Sequence, residues 1–544
     1  TVQDYGGIGG LKTVSVRSLG AKHTAVCYDG VTVTDAQSGQ VDISRFSLDN
    51  VDMISLSIGQ ADDIFQTARM YASAGALSIK TSRPVFTDRS YHLKAQVKAG
   101  SFGLVNPYLR YEQKLGKKWY TSWHGDYLRA DGNYPFTLVN GNLIEKKKRY
   151  NSDIESWRTE LNFTGDLGKF GTLSMKGYYF DSHRGLPGSV IFYNDYSGER
   201  LWDRNAFAQI HYENHITEKF TFQAQAKYNY SWMRHLDVDN KYESGRQDDR
   251  YTQKEYYLSI SGLYSLADHL SLAVAEDYFI NSLDNTIPEC RYTSLTALAI
   301  QYKDPRLTAT TSLLGTYITE NVERGDRPSD RKRLSPAVSL SWRVLSDHNF
   351  RLRASYKDIF RVPTFNDLYY LRIGNTDLKP ERATQYNVGM TWSGLLPFIN
   401  YLNVSVDGYY NRVSDKIVAI PTMFIWKMMN MGEVSIGGID VNLSTEVPLW
   451  KNISLTGQMS YSWQHAIDIT DETEKNYRDQ IPYTPKHSGN FSAALQMPWI
   501  NISYLLTVVG DRYASPQNIE RNLIDRYAEQ TVSLNRTFTF GSCS

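Results

Sequence analysis

A run of sulfur-bearing side chains is the segment of this chain most suggestive of a metal site. Residues 423–431 read Met-Phe-Ile-Trp-Lys-Met-Met-Asn-Met, with the thioethers of Met423, Met428, Met429 and Met431. Thioethers are soft ligands that suit copper. Methionine more often serves as adaptable apolar filling, and that interpretation is the stronger one here. We therefore predict no metal site in this run.

An acidic loop offers the oxygen ligands that calcium prefers. It contains Asp237, Asp239, Asp248 and Asp249, but not at the spacing of an EF-hand, so calcium is a weak hypothesis. Motifs for catalysis are absent too: the sequence has neither Gly-x-Ser-x-Gly nor His-Glu-x-x-His, and no Gly-Lys-Ser/Thr loop for phosphate. We predict no catalytic residues and no cofactor.

Composition excludes further classes. The chain has 544 residues with 59 Lys+Arg against 58 Asp+Glu, so it lacks the basic excess of a nucleic-acid binder. Its three cysteines fit neither a disulfide scaffold nor a zinc pattern. The longest charge-free windows, 383–406 and 488–510, carry Pro397 and Pro498 near their centres. Because proline breaks a helix, neither window predicts a membrane-spanning helix, which needs about 20 apolar residues.

Alternation with period two dominates the chain from about residue 90. In residues 220–232, Phe, Ala, Tyr and Trp alternate with Thr, Gln, Lys, Asn and Ser over 13 positions. Such a run is longer than the strands of about 5–6 residues in soluble proteins. It suits the strands of about 9–11 residues that cross a membrane in a barrel, with one face to lipid and the other to a wet lumen. A large soluble β-sandwich is the alternative, and the long runs with aromatic ends disfavour it.

Twenty such strands can be placed between residues 90 and 540, separated alternately by short turns and by long polar loops such as 131–150 and 466–485. This arrangement is typical of an outer-membrane barrel. A barrel of twenty strands is too wide for its own side chains to fill. Its lumen must therefore hold water or a plug.

Residues 1–84 differ from the rest, with short predicted strands at 13–17, 24–28, 51–58 and 76–80 among glycine-rich turns. Their composition indicates a small globular α/β or β-rich domain, and Thr81-Ser82-Arg83-Pro84 is a plausible linker. We predict a plug domain at 1–84 and a barrel at 85–544.

Several motifs resemble the TonB-dependent outer-membrane receptors. In the first domain these are Val14-Ser15-Val16-Arg17-Ser18-Leu19-Gly20, Ala25-Val26-Cys27-Tyr28-Asp29-Gly30-Val31 and Val41-Asp42-Ile43-Ser44-Arg45-Phe46. In the barrel they are Phe360-Arg361-Val362-Pro363-Thr364-Phe365-Asn366-Asp367-Leu368-Tyr369, Leu378-Lys379-Pro380-Glu381 and Gly437-Gly438-Ile439-Asp440. The resemblance extends over essentially the whole chain.

The resemblance implies an all-β membrane protein of the bacterial outer membrane, with an α/β plug inside the lumen of a large antiparallel barrel. It implies energy-coupled import of a scarce small ligand, cobalamin or a ferric siderophore, with a slight preference for cobalamin. The partners it implies are the TonB complex, engaged through an N-terminal segment that precedes Thr1, and outer-membrane lipid. A surface lipoprotein is a further candidate partner. Haem uptake, a passive porin and an outer-membrane enzyme or adhesin are the alternatives.

The resemblance also assigns residues to the plug and its surroundings. Arg17 is expected to contact a barrel carboxylate at Glu381, with Asp367 standing where the family more often has Glu. The outward plug loops are expected to bind ligand through Asp4, Tyr5 and Gly6 and through Asp35, Gln37 and Ser38. The alternative is that the loop residues only form turns and that Arg17 and Glu381 are ordinary solvated charges.

Two expectations concern the surface and the ends. The basic run Lys146-Lys147-Lys148-Arg149 could contact lipopolysaccharide phosphates, although a solvated loop is the stronger interpretation. The family has about 22 strands against the twenty counted here. We therefore expect either that the sequence is clipped at both termini or that the count is short by two.

Overall fold

The computed structural model shows a mostly β protein. No described helix is long and apolar enough to span a membrane. The structure describes residues 2–4, 8–59, 62–87, 89–140, 142–188, 190, 197–239, 241–284, 289–323, 326–345, 349–370, 373–421, 426–430 and 432–538.

The N-terminal domain is built on a small mixed sheet. Strand β3 lies between β4 and β6, β6 also pairs with β5, and β3 runs parallel to β6. A separate ribbon joins β1 to β2. The elements are β1 (Val2–Asp4), β2 (Lys12–Val14), β3 (Thr24–Tyr28), β4 (Val31–Val33), β5 (Val51–Ile58), α1 (Ala68–Tyr71) and β6 (Gly75–Thr81), with single 3-10 turns at Ala21–His23, Ile43–Arg45 and Leu48–Asn50.

In the described part of the chain, twenty long strands form one antiparallel sheet wound into a barrel, and three short hairpins project from it. The barrel strands are β7 (Tyr91–Gly100), β8 (Leu104–Leu115), β9 (Trp119–Ala130), β12 (Ile154–Asp166), β13 (Thr172–Leu186), β14 (Glu199–Thr217), β15 (Phe220–Asp237), β16 (Gln247–Ala267), β17 (Leu270–Asp284), β18 (Glu289–Lys303), β19 (Leu307–Val322), β20 (Arg331–Leu345), β21 (Asn349–Arg361), β22 (Glu381–Leu396), β23 (Ile399–Ser414), β26 (Val434–Trp450), β27 (Ile453–Asp468), β28 (His487–Gln496), β29 (Asn501–Val509) and β32 (Tyr527–Asn535). The hairpins are β10 (Pro135–Asn140) with β11 (Leu143–Lys148), β24 (Ile417–Pro421) with β25 (Trp426–Asn430), and β30 (Arg512–Tyr513) with β31 (Leu523–Ile524). The remaining helices are α2 (Phe365–Tyr369) and 3-10 turns at Gly168–Phe170 and Glu520–Asn522.

The two rims of the barrel differ. One rim, the short-turn rim, has connections such as 116–118 and 218–219. The other, the long-loop rim, carries connections such as 131–153, 362–380 and 415–433, which include the hairpins and α2. This asymmetry and the twenty strands confirm the fold class expected from the sequence, whereas the hairpins were predicted only as loops.

Alternation places opposite chemistry on the two faces of each barrel strand. In β16, Tyr256, Leu258 and Ile260 are more than half exposed, as lipid-facing side chains are in the bare protein. Their neighbours Tyr257 and Ser259 point inward and are buried. Because the inward positions are buried, the lumen is not an empty channel on this side.

The plug fills that space. Its residues Val31, Ile64 and Tyr71 share one hydrophobic cluster with Tyr257 and Phe279 of the barrel. A second cluster joins plug and barrel residues on β13 and β14; it contains Val14, Val26, Tyr28, Phe46, Leu77, Ile79, Tyr178, Phe180 and Phe207. The plug therefore packs against the inner wall through apolar contacts as well as polar ones.

Candidate functional site: the seam between plug and barrel

The seam is the surface along which plug residues 2–81 meet the inner wall and the loops of the long-loop rim. Several groups of polar contacts hold it, on different sectors of the barrel.

Arg17 follows β2, at a position where the backbone has a φ of 47°. Its Nε donates to Oδ2 of Asp440 at 2.9 Å, and its guanidinium also donates to the side-chain oxygen of Asn387. The Cζ atom lies 4.2 Å from the ring centroid of Tyr409. Asp440 is itself held, because Ser462 donates to its other oxygen at 2.5 Å. The plug arginine is thus wedged among β22, β23, β26 and β27.

Arg17 was expected to pair with Glu381, and the structure does not bring these two together. Glu381 takes its plug contact from His23, whose Nε2 lies 2.7 Å from Oε2. Glu381 also forms an ion pair with Arg361 at 2.6 Å and accepts a hydrogen bond from the backbone N–H of Ile417 at 2.7 Å. The partner differs because Arg17 reaches an aspartate two strands further round the wall. Asp440 lies in a motif that the sequence had singled out, but not as this partner.

His23 is nearly fully buried, and burial lowers its pKa below the ordinary value even though Glu381 favours the charged form. A carboxylate paired with Arg361 only accepts hydrogen bonds. The neutral ring of His23 therefore donates from Nε2 to Glu381.

Asp367 lies in α2 and contacts the plug through Lys22, whose Nζ is 3.1 Å from Oδ1. The same carboxylate caps its helix, accepting the N–H of Thr364 at 2.9 Å while Thr364 Oγ1 accepts the N–H of Asp367 at 3.2 Å. Burial raises the pKa of Asp367, but Lys22 and Arg361 outweigh it and hold the pKa below its usual range. An aspartate, shorter than the glutamate common in the family, suffices because α2 brings it to the plug.

The plug loop 35–39 is docked under α2. Its carbonyls at Ala36 and Gln37 accept the N–H groups of Phe365 and Asn366 at 3.1 and 3.0 Å. Gln37 is 4% exposed, and its side-chain oxygen accepts a hydrogen bond from Nε2 of Gln253 of β16 at 3.0 Å. These bonds close the loop against the barrel.

The six expected ligand residues are placed as follows. Asp35 accepts the N–H of Ser38 at 2.9 Å within the docked loop, beside Gln37. Asp4 ends β1 and pairs with Lys12 at 2.6 Å. Tyr5 and Gly6 lie outside the described residues. Of the positions that are described, Gln37 is thus buried and Asp35 and Ser38 are partly buried in the seam.

Two further polar anchors were missed from the sequence. On β12 and β13, Glu160 accepts Tyr28 Oη at 2.6 Å, and Lys176 bridges Glu160 at 2.5 Å to Asp29 of the plug at 2.7 Å. On β16, Glu255 forms an ion pair with Arg69 of the plug at 3.2 Å. The signal available was the presence of charges at inward positions of alternating strands; nothing in the sequence paired them with particular plug residues.

Cavities interrupt the seam near the long-loop rim. One of about 260 Å³ is lined by Lys22, His23, Glu381 and Lys416, among others. Another of about 230 Å³ also borders Lys22 and extends to Asp35, Arg69 and Arg291. The Lys22–Asp367–Arg361–Glu381 contacts stand where these two cavities approach each other. A third, of about 450 Å³, borders Asp4 and Lys12.

Among the described residues no group of three or more His, Cys, Asp or Glu could hold an ion, so the calcium hypothesis gains no support from them. Met428 is half-buried beside α2 and Met429 is exposed, whereas Met423 and Met431 lie outside the described residues. The aspartates of the acidic loop are paired with basic side chains of the protein. Asp237 lies 2.7 Å from Lys241, and Asp248 lies 2.8 Å from Arg234.

Comparison with known proteins agrees with this architecture. The family model described as "TonB dependent receptor-like, beta-barrel" matches residues 66–537. The vitamin B12 transporter BtuB of Photobacterium profundum is 24% identical over 517 residues, covering 92% of this chain and 74% of BtuB.

Solved structures of similar shape include the copper transporter OprC, with a TM-score of 0.77, 15% identity, and coverage of 98% of this chain and 84% of OprC. The ferric citrate transporter FecA has a TM-score of 0.76, 13% identity, and coverage of 99% and 86%. The FrpB iron transporter of Neisseria meningitidis (F5-1 variant) has a TM-score of 0.76, 13% identity, and coverage of 98% and 88%. With the family model matching most of its length, this chain belongs to the TonB-dependent receptors, active importers of the bacterial outer membrane.

Proposed function

We propose that this receptor imports cobalamin, with a ferric siderophore as the second candidate. Support for cobalamin comes from the similarity to the vitamin B12 transporter BtuB, which spans 92% of this chain. Support for a metal chelate comes from the iron transporters of the same fold, which are less similar in sequence. The single observation that carries active import is the plug that fills the lumen and is bonded to its wall.

Arg17, His23 and Lys22 act in this proposal as the releasable attachment of the plug. A solvated ion pair contributes only about 0–1 kcal/mol, but removing one partner of a buried pair costs about 3–5 kcal/mol. Arg17–Asp440 is a partly buried ion pair that lies between these two cases. The neutral ring of His23 donates a buried hydrogen bond to Glu381, and removing one partner of such a bond costs about 1–3 kcal/mol. Several such contacts resist thermal opening, and a pulling force applied through TonB breaks them in turn.

The plug loop at Asp35, Gln37 and Ser38 acts as the sensor of ligand. In the docked state its carbonyls are bonded to α2, so a ligand that contacts this loop competes with α2. Asp4, Tyr5 and Gly6 are proposed as the second ligand loop, and of these Asp4 borders a cavity. The TonB complex, engaged through an N-terminal segment, and a surface lipoprotein are the proposed protein partners.

The test is a titration of the purified full chain with cobalamin, haem and ferric siderophores, followed by tryptophan fluorescence. We expect saturable binding of cobalamin at the lowest concentration. Exclusive binding of a ferric siderophore would transfer the proposal to the second candidate, and exclusive binding of haem would overturn it.

The passive porin is tested in proteoliposomes. A plug bonded to the wall on several sectors predicts slow sugar entry through the wild-type chain. Rapid entry without any energy source would support the porin and contradict import.

A further inference from the structure

The β10–β11 hairpin is a long segment of the rim to which the import mechanism assigns no role. It connects β9 to β12, and its two strands pair only with each other. A two-stranded hairpin alone is at best marginally stable in water. A surface that covers one of its faces would stabilise it.

The register sorts the hairpin into two faces. Val139 stands opposite Ile144, Thr137 opposite Lys146, and Pro135 opposite Lys148, so these three pairs share one face. Every residue of that face is exposed, with Val139 at 63% and Ile144 at 68%. On the opposite face Phe136, Leu138, Glu145 and Lys147 are half-buried, and Leu143 near the turn is exposed. One complete face is therefore open, apolar at its tip and basic nearer the barrel.

The spacing along this face matches a lipid surface. Two residues of a strand span about 7 Å. Lys146 therefore lies about 7 Å from the Val139–Ile144 pair in the direction of the barrel, and Lys148 lies about twice as far. Interfacial segments bury their apolar face about 5–10 Å into the headgroup boundary, and their cations meet anionic headgroups.

A protein partner fits less well. Lysine is depleted from protein interfaces, whereas this segment holds Lys146, Lys147, Lys148 and Arg149 with Glu145 as its one acid. The positive charge is complementary to the phosphates of an anionic leaflet.

We propose that the β10–β11 hairpin docks on the outer leaflet of the membrane, with Val139 and Ile144 in the lipid and Lys146 and Lys148 on its phosphates. The docked hairpin anchors the rim to the lipid surface. This role is separate from ligand import and does not depend on the identity of the ligand.

The experiment places a polarity-sensitive fluorophore on the full chain at Ile144→Cys, or at Val139→Cys as a second site, with Cys290→Ser and Cys543→Ser to limit labelling elsewhere. The labelled receptor is reconstituted in nanodiscs of brominated phosphatidylglycerol or brominated phosphatidylcholine. Glu243→Cys, exposed in another loop of the same rim, is the matched control position.

We expect strong bromine quenching at residue 144 in phosphatidylglycerol, weak quenching in phosphatidylcholine, and little at residue 243. Lys146→Gln and Lys148→Gln should each reduce the ratio of docked to free hairpin about fivefold. Quenching by aqueous iodide but not by bromolipid, as for a free or protein-binding hairpin, would overturn the proposal. Equal quenching in both lipids with no effect of the lysine variants would overturn it as well.

Discussion

The guanidinium of Arg17 in the plug lies 4.2 Å from the ring centroid of Tyr409 in the wall while its Nε donates to Asp440. The backbone at Arg17 has a left-handed φ of 47°, a conformation that costs a residue with a Cβ about 1–3 kcal/mol. The stacking and the ion pair offset this strain only when the plug is docked. Attachment of the plug to the wall therefore compensates the backbone strain at Arg17.

Asp440→Asn tests this attachment. The amide keeps the size of the side chain but removes its charge, so we expect plug release to become easier by about 1–3 kcal/mol. The measurement is the guanidinium chloride concentration at which proteoliposomes become permeable to sugar. Glu446→Gln on the same strand, where the contact to Asn400 is 3.5 Å, is the matched control. Equal midpoints in the two variants would refute a holding role for Asp440.

His23 and Glu381 should behave as a coupled pair. Because each is the other's buried partner, the double variant His23→Gln/Glu381→Gln should lose less stability than the sum of the single variants. We expect a coupling of about 0.5–3 kcal/mol in the same release assay. Simple additivity would show that the 2.7 Å contact contributes nothing to docking.

Plug docking should weaken in acid. Burial lowers the pKa of His23 from 6.5, so the released plug takes up a proton at a higher pH than the docked plug does. The stabilisation is complete above about pH 6.5 and is lost as the pH falls through the docked-state value. The release free energy should fall by at most about 1.4 kcal/mol per pH unit in that window.

The control separates His23 from the other titrating groups. His23→Gln should flatten this part of the pH profile, whereas His215→Gln, whose side chain is 76% exposed, should leave it unchanged. An identical slope in the wild type and His23→Gln would contradict the assignment.

Gly39→Ala should undock the plug loop from α2. Gly39 has a φ of +74°, and an added Cβ would lie 2.6 Å from Cγ2 of Thr364. We expect a loss of about 1–3 kcal/mol from overpacking, beyond the left-handed strain. Gly116→Ala is the control, since Gly116 has a φ of +75° and no atom within 4 Å of the added Cβ.

Thr364→Ser offers a rescue of Gly39→Ala. Serine keeps the hydroxyl that caps α2 and deletes the clashing methyl group. The double variant should return to the level of Gly116→Ala in the release assay. Failure of this rescue would show that the loop does not contact α2 as described.

Strand positions were accessible from the sequence because each barrel strand carries its own signal. The alternation in residues 220–232 predicts β15 without any knowledge of its neighbours. The β10–β11 hairpin was missed although Asn140-Gly141 between two apolar stretches is a hairpin-turn signal, because the whole stretch 131–150 was assigned to a polar loop. The number of barrel strands could be predicted for the same reason as β15, because each strand is recognised from its own residues.

Contacts across the seam were not accessible in the same way. Arg17 and Asp440 are separated by 423 positions, and Tyr28 and Glu160 by 132. Which carboxylate meets which cation depends on how the plug is rotated inside the wall, and no local pattern encodes that rotation. The resemblance to the family pointed to Arg17, Glu381 and Asp367, and the structure places all three on the seam but with other partners for Arg17 and Glu381.

The most direct test of the account is a disulfide between plug and wall. An ideal Cβ on Gly9 would lie 3.2 Å from Cβ of Ile154, close to the spacing of about 3.5–4.5 Å in disulfides, so Gly9→Cys/Ile154→Cys can join the plug to β12. Uptake is measured in cells with whichever ligand binds in the titration, before and after reduction. We expect the oxidised receptor to bind ligand without importing it, and reduction to restore import. Undiminished import by fully cross-linked receptor would contradict the claim that the plug must leave its seam.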